Sequence, residues 1–237
     1  MEEYNLELMI LGHEIWMEKT KEEKNTVQLS LLFGHNMRID GIADKSRFQS
    51  FCFSPDGARR EVELVTDEDR YYLNIDVAAD GYYTVYVDMG AVIFSINKDG
   101  YNKGPKFKFK DVTYSGAFHQ MAKFIVPIGN VDEYPQRPLH GILEIVPRKV
   151  DCKVGSETEF TVYYEDIPLS GAEIKALSGK EGKEMACVQT DEHGTVKIPI
   201  TTEGNWMFLA RHADPTKKVS EEFDESVFIS TLVLEAR

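Results

Sequence analysis

Hydrophobic and polar residues alternate along this chain with a period of two, in short runs rich in β-branched and aromatic residues that Gly, Pro, Asn and Asp interrupt about every ten residues. That pattern predicts an all-β fold, two immunoglobulin-like antiparallel β-sandwich domains in tandem, with helices scarce. Strands are expected at residues 27–33, 50–54, 71–77, 82–89 and 123–128, and again at 142–146, 158–164, 172–177, 195–200, 205–211 and 227–236. Between the two groups lies NVDEYPQRPLHG, where Pro135 and Pro138 stand among polar residues as in a connection between domains. The boundary is therefore placed to give an N-terminal sandwich over residues 1–137 and a C-terminal immunoglobulin-like or prealbumin-like sandwich over 138–237.

One pattern occurs in both halves. Asp80, Gly81, Tyr83 and Val85 repeat as Glu203, Gly204, Trp206 and Phe208, each set following a Thr-Asp-Glu turn and a strand. The glycine suits a turn that requires positive φ, and the aromatic residue two positions on would anchor a sandwich corner. Two related units, or the same turn chemistry arising twice, would both produce it.

The stretch from Gly12 to His35, GHEIWMEKTKEEKNTVQLSLLFGH, reads as a hairpin with a Gly-His pair at each end. With Lys21 to Lys24 as its loop, residues whose numbers sum to about 45 would face each other, so His13 would sit near Leu32 and His35 just beyond, brought back by a bend at Gly34. His13 shares strand parity with Met9, Leu11, Ile15 and Met17, while Glu14, Trp16 and Glu18 point the other way. In the second half His212 ends NWMFLARH on the parity of Trp206 and Phe208. Three imidazoles meeting where the sandwiches join would suit nickel, cobalt or zinc, for which neutral imidazole is a favoured ligand. The same spacing also fits half-buried histidines satisfied by their own cores.

Composition narrows the classes of function. Forty acidic residues against 27 basic ones give a net charge of -13, which repels phosphate backbones and anionic membranes and favours cations, so nucleic acid is not an expected partner. Cys52, Cys152 and Cys187 are scattered singly and read as packing residues rather than a disulfide framework or zinc knuckle. No apolar run approaches the roughly 20 residues needed to span a bilayer, and the residues before His13 lack a secretory signal's basic start, so the sequence as written reads either as cytoplasmic or as a mature form from which an export signal was removed. No Gly-x-Ser-x-Gly elbow, phosphate loop, His-Glu-x-x-His or kinase signature appears, and an enzyme is not expected. With 40 acids available, paired carboxylates of a glycosidase type carry little weight. The run KGPKFKFK reads as a half-exposed strand with a solvated lysine face.

HEIWME followed by LLFGH resembles the opening of a bacterial and archaeal family of unknown function associated with accessory subunits of nickel and cobalt uptake systems. FHQMAKFIVPIG, with Ala122 and Lys123, is similar to that family's Ala-Lys strand, and the stretches LEIVPRKVDCKVGSETEFTVYYEDIPLSGAEIKAL, QTDEHGTVKIPI and GNWMFLARH to its C-terminal sandwich. The resemblance implies a two-sandwich protein, usually periplasmic or extracellular, that binds a transition metal and presents it to a membrane transporter. It implies His13, His35 and His212 as ligands, with Glu14 as the motif acid. His119 could add a ligand, whereas His140 and His193 fall in a connection and a turn. The alternative is a non-catalytic adhesion or carbohydrate-binding module that uses Tyr71, Tyr72, Tyr82, Tyr83 and Tyr101 as a stacking platform, with at most one of each adjacent pair able to face a sugar.

Overall fold

The structure, a computed structural model, describes residues 13–131 and 133–237. Its strands in chain order begin with β1 (Glu14–Glu23), β2 (Thr26–His35), β3 (Arg38–Gly41), β4 (Gln49–Phe53), β5 (Arg59–Glu61) and β6 (Leu64–Thr66). They continue with β7 (Tyr71–Asp76), β8 (Gly81–Asn97), β9 (Gly100–Lys103), β10 (Tyr114–Ile128), β11 (Leu143–Pro147) and β12 (Glu157–Tyr164). The last are β13 (Ile167–Pro168), β14 (Glu173–Ser178), β15 (Lys183–Gln189), β16 (Thr195–Pro199), β17 (Gly204–Asp214) and β18 (Glu225–Ala236). Among the described residues there is no α-helix, so the protein is all-β as its period-two pattern predicts.

Three sheets stack in layers. A five-stranded sheet has the order β1-β2-β7-β6 with β3 on β2, and a four-stranded one runs β11-β12-β13 with β16 on β12. Between them lies a nine-stranded sheet ordered β15-β14-β17-β18-β10-β8-β4-β5, with β9 on β8. Strands from both halves of the chain enter this central sheet, because β10 pairs in parallel with β18 from Gly116 to Phe124 while its other edge pairs antiparallel with β8.

Side-chain alternation then builds one core on each face of the central sheet. Along β10, Phe118, Ala122, Phe124 and Val126 join Trp16, Leu29 and Leu73 in the first core, whereas Met121 and Ile125 join Ile145, Phe160 and Trp206 in the second. The strand β8 changes face part-way: Val85, Val87 and Met89 point into the first core, and after Gly90 (φ 67) the even residue Phe94 does. The register slips by one there, since β10 residues His119 and Met121 oppose Ala91 and Asp88. This is a β-bulge, and the Asp88 carboxylate accepts the Gly90 N–H at 2.6 Å.

The repeated corner pattern has a structural counterpart. Gly81 and Gly204 both adopt positive φ, 137° and 103°. The Tyr83 hydroxyl accepts the Ala78 and Ala79 N–H groups at 3.0 and 3.1 Å, and the Trp206 indole donates to the Thr202 carbonyl at 2.9 Å. Each aromatic ring is thus buried while its polar tip ties down the turn before it.

Lys123 on β10 and Glu144 on β11 form a buried ion pair at 3.2 Å, with side chains 1% and 0% exposed. The other Glu144 oxygen accepts the backbone N–H groups of Leu139 and Gly141 at 2.8 and 2.7 Å. One carboxylate therefore joins the central sheet, β11 and the proline-rich connection.

Several expectations need correction. KGPKFKFK is not a strand: Lys106–Lys108 forms a single 3-10 turn and Phe107 is 62% exposed. The start Gly104-Pro105 explains this, because proline cannot donate to a ladder. Cys187 is exposed on β15, while Cys52 and Cys152 lie in the cores. Trp16, on the parity of Glu14 and Glu18, is fully buried, its indole donating to Glu18 at 3.1 Å. Strand β1 lies over β10 and β18, where the Thr231 hydroxyl donates to the Ile15 carbonyl at 2.6 Å, and the consecutive side chains Ile15, Trp16 and Met17 are all buried.

Candidate metal centre

The hairpin closes at Lys24 and Asn25, later than expected, and an irregularity between Lys19 and Lys21 shifts the register once more. As a result Glu14 pairs with Gly34, and the next step on each strand sets His13 directly across from His35. Opposed residues of an antiparallel pair have Cβ atoms about 5 Å apart on one face, so no bend is needed to bring the imidazoles together. Their ring centroids are 4.2 Å apart, and the His13 ring stacks on Phe33 at 4.4 Å and 8°.

A third donor comes from the next turn. Asn36 and Met37 both take positive φ, 51° and 60°, the two-residue turn that matches strand twist, and β3 returns with His35 opposite Arg38. Gly34 then opposes Ile39 while Phe33 opposes Gly41, leaving Asp40 as the extra residue of a bulge. Its carboxylate lies 3.3 Å from His13 Nε2 and in contact with His35 Nδ1. One donor atom from each of His13, His35 and Asp40 lies within 4.8 Å of the other two.

Gly34 is what lets β3 come this close. A Cβ there would stand 2.0 Å from the Arg38 carbonyl oxygen and 3.0 Å from the Asp40 nitrogen. On the opposite side, Glu14 accepts the Asn36 N–H at 2.8 Å and so ties the turn to β1. Burial raises the Glu14 pKa against the pull of that hydrogen bond and of His35. Burial, reinforced by repulsion from His35, lowers the His13 pKa, with Asp40 opposing, which favours the neutral imidazole. With Nδ1 turned to Asp40, the buried Nε2 of His35 has no hydrogen-bond partner.

His212 lies elsewhere. On β17 it opposes Phe228, and Phe228 in turn opposes and packs against His119 with ring centroids 4.8 Å apart. Tyr164 of the four-stranded sheet covers this row, 4.3 Å from the His212 ring. His119 and His212 therefore face the second core, and the central sheet separates them from His13 and His35. His140 contacts Asp166 at 2.8 Å on the surface, and His193 sits exposed in its turn. Of the tyrosines, Tyr71 and Tyr83 are buried and Tyr72 and Tyr82 half-buried, one of each pair inward as strand parity requires.

Sequence reasoning missed Asp40. Its signal was the spacing His35-Asn-Met-Arg-Ile-Asp40, in which a turn after His35 returns an acid to the same end of the sheet, but the bulge that aims it is set by contacts with Gly34.

A profile of a protein family described as a domain of unknown function, DUF4198, matches residues 10–214, a span holding the whole cluster. The chain belongs to the DUF4198 family. No curated protein matches it. Among solved structures, the fibronectin(III)-like modules of Clostridium thermocellum CbhA align over 93% of this chain and 94% of theirs, at 12% identity and a TM-score of 0.23. The D0-D1 domain of intimin aligns over 93% of this chain and 97% of its own, at 13% identity and a TM-score of 0.23. A Salmonella alpha-2-macroglobulin aligns over 93% of this chain but 15% of its own, at 14% identity and a TM-score of 0.27. Among the described residues of this DUF4198 chain, no helix is long and apolar enough to cross a membrane.

Proposed function

We propose that this DUF4198 protein binds a divalent late first-row transition metal, nickel, cobalt or zinc, through His13, His35 and Asp40. The proposal extends to carriage of the ion as cargo for a membrane transporter of a metal-uptake system. The observation that carries the first part is the cluster itself, three donor atoms from three adjacent strand ends within 4.8 Å of one another. Two imidazoles and a carboxylate select late first-row ions over calcium, which prefers an all-oxygen shell. The set also fits a bound ion in its arrangement, because His13 Nε2 and His35 Nδ1 both face the Asp40 carboxylate.

Cargo must be released as well as held. Three protein donors leave positions open for water or a receiving ligand, and His13 and Asp40 are 41% and 39% exposed, so an ion can enter and leave from solvent. Glu14 serves in this reading by fixing the β2–β3 turn through the Asn36 N–H. The uptake assignment rests on the family resemblance of the HEIWME and LLFGH segments together with the net charge of -13, which draws cations to the surface.

The test is calorimetric titration of the chelator-stripped protein with nickel, cobalt and zinc, beside the His13→Ala/His35→Ala variant and Asp40→Ala. Saturation near one ion per chain, lost in the double variant, is expected. Absence of binding, or equal binding by the double variant, would overturn the proposal.

A further inference from the structure

Beside the cluster, between the five-stranded and central sheets, lies a cavity of about 260 Å³. Phe33, Met89, Phe94 and Phe118 form its apolar wall, and His13 contributes to the edge. The bulge at Gly90 makes this wall, because the change of face along β8 turns Phe94 inward. The volume is larger than the roughly 150 Å³ that accommodates a benzene ring.

Its polar lining is unusual. Arg47, Tyr101 and Gln120 each present a buried polar atom with no hydrogen-bond partner: a guanidinium nitrogen, the phenol oxygen and the amide oxygen. Gln120 is only 7% exposed, so its orphan acceptor is deep. Such atoms are rare in native proteins, and three around one cavity ask for a common partner. Lys103 adds a second cation, and no acid lines the space although the chain carries a net charge of -13. Asp44 lies close enough to influence Arg47 and Lys103, but its carboxylate accepts the Ser46 N–H and hydroxyl at 3.0 and 2.9 Å.

The unmet groups define a ligand. Arg47 requires an acceptor, best an anionic one; Gln120 Oε1 requires a donor; the phenylalanines require an apolar body about one ring in size. We propose that this cavity binds a small organic hydroxy acid, its carboxylate on Arg47 and Tyr101, its hydroxyl on the Gln120 amide and its apolar part against Phe33, Phe94 and Phe118. A hydroxyl fits better than an ammonium group, because Arg47 and Lys103 would repel a cation. This site does not depend on the metal reading.

Mandelate supplies all three features, phenylacetate lacks the hydroxyl and 1-phenyl-1,2-ethanediol lacks the carboxylate. Each is titrated calorimetrically into the metal-free protein and into Arg47→Met and Gln120→Leu, whose folding is checked by thermal melts. Gln120→Leu keeps the shape and removes an unpartnered acceptor, so it should fold at least as well as the parent. Saturable mandelate binding in the millimolar range or tighter is expected. Both variants should weaken it by about tenfold or more, and Gln120→Leu should leave phenylacetate affinity unchanged. No saturable binding of mandelate, or equal affinity in the parent and both folded variants, would overturn the proposal. Because no metal is present, either result leaves the His13 cluster to be judged by its own titration.

Discussion

Gly34→Ala tests the geometry of the proposed metal site without touching any of the three residues proposed to hold the ion. The added Cβ would lie 2.0 Å from the Arg38 carbonyl oxygen, whereas real Cβ contacts do not fall below 3.0 Å, so β2 and β3 must part by about 1 Å. The three nearest atoms, the Arg38 carbonyl oxygen and carbon and the Asp40 nitrogen, are all backbone, so no side-chain rotation relieves the clash. Asp40 rides on β3 and would leave His35 and His13 by a comparable distance, several times the roughly 0.2 Å tolerance of a metal–ligand bond. A metal loss of about 10–100-fold follows, as for removal of groups that orient ligands, or about 1.4–2.8 kcal/mol. Overpacking should cost a further ~1–3 kcal/mol of stability, seen as a fall in Tm of about 2–4 °C per kcal/mol for a chain of this size. Gly41→Ala is the control on the same short strand, because a Cβ there meets nothing within 4 Å. Calorimetry and thermal melts of the two variants decide the matter. Undiminished metal affinity in Gly34→Ala, or the same loss in Gly41→Ala, would refute the reasoning that this glycine sets the site.

His212→Ala should leave metal affinity within about twofold of the parent in the same titration, because the central sheet stands between it and His13. Glu144→Ala strands Lys123 in the second core and removes the acceptor for two backbone N–H groups; denaturant unfolding should show a loss of about 3–5 kcal/mol, with the Lys123→Met/Glu144→Leu pair recovering the part due to the unpaired charge but not the part due to the two N–H groups. The lowered His13 pKa means the folded chain holds fewer protons there than the unfolded chain, whose value is 6.5. Its effect on stability is nil well above pH 6.5 and grows unfavourable as pH falls through 6.5 toward the lowered folded value. The metal-free protein should therefore lose stability across that window, and His13→Gln should flatten this part of a Tm-against-pH curve. An unchanged curve would show that another group governs it.

The period-two pattern was enough to fix the all-β class and most strand positions, because strand alternation is a local property of sequence. It also singled out His13 and His35, since two histidines at opposite ends of one hairpin must meet if the turn is near its middle. Register was beyond it: a two-residue turn at Lys24 and Asn25 and an irregularity beside Thr20 together moved the partner of His13 by three positions, from Leu32 to His35, and a change of pairing leaves the alternation along each strand as it was. Asp40 was hidden for the same reason, because the bulge that presents it depends on how closely β3 can approach Gly34. The parallel pairing of β10 with β18 lay further out of reach. It joins residues more than 100 positions apart, yet it alone makes one sheet serve two cores and puts His212 on the face away from His13. Sequence determined which side chains each strand would offer and to which side of that strand, through short-range sterics. Only the tertiary structure decided which strands became neighbours, and so which histidines share a site.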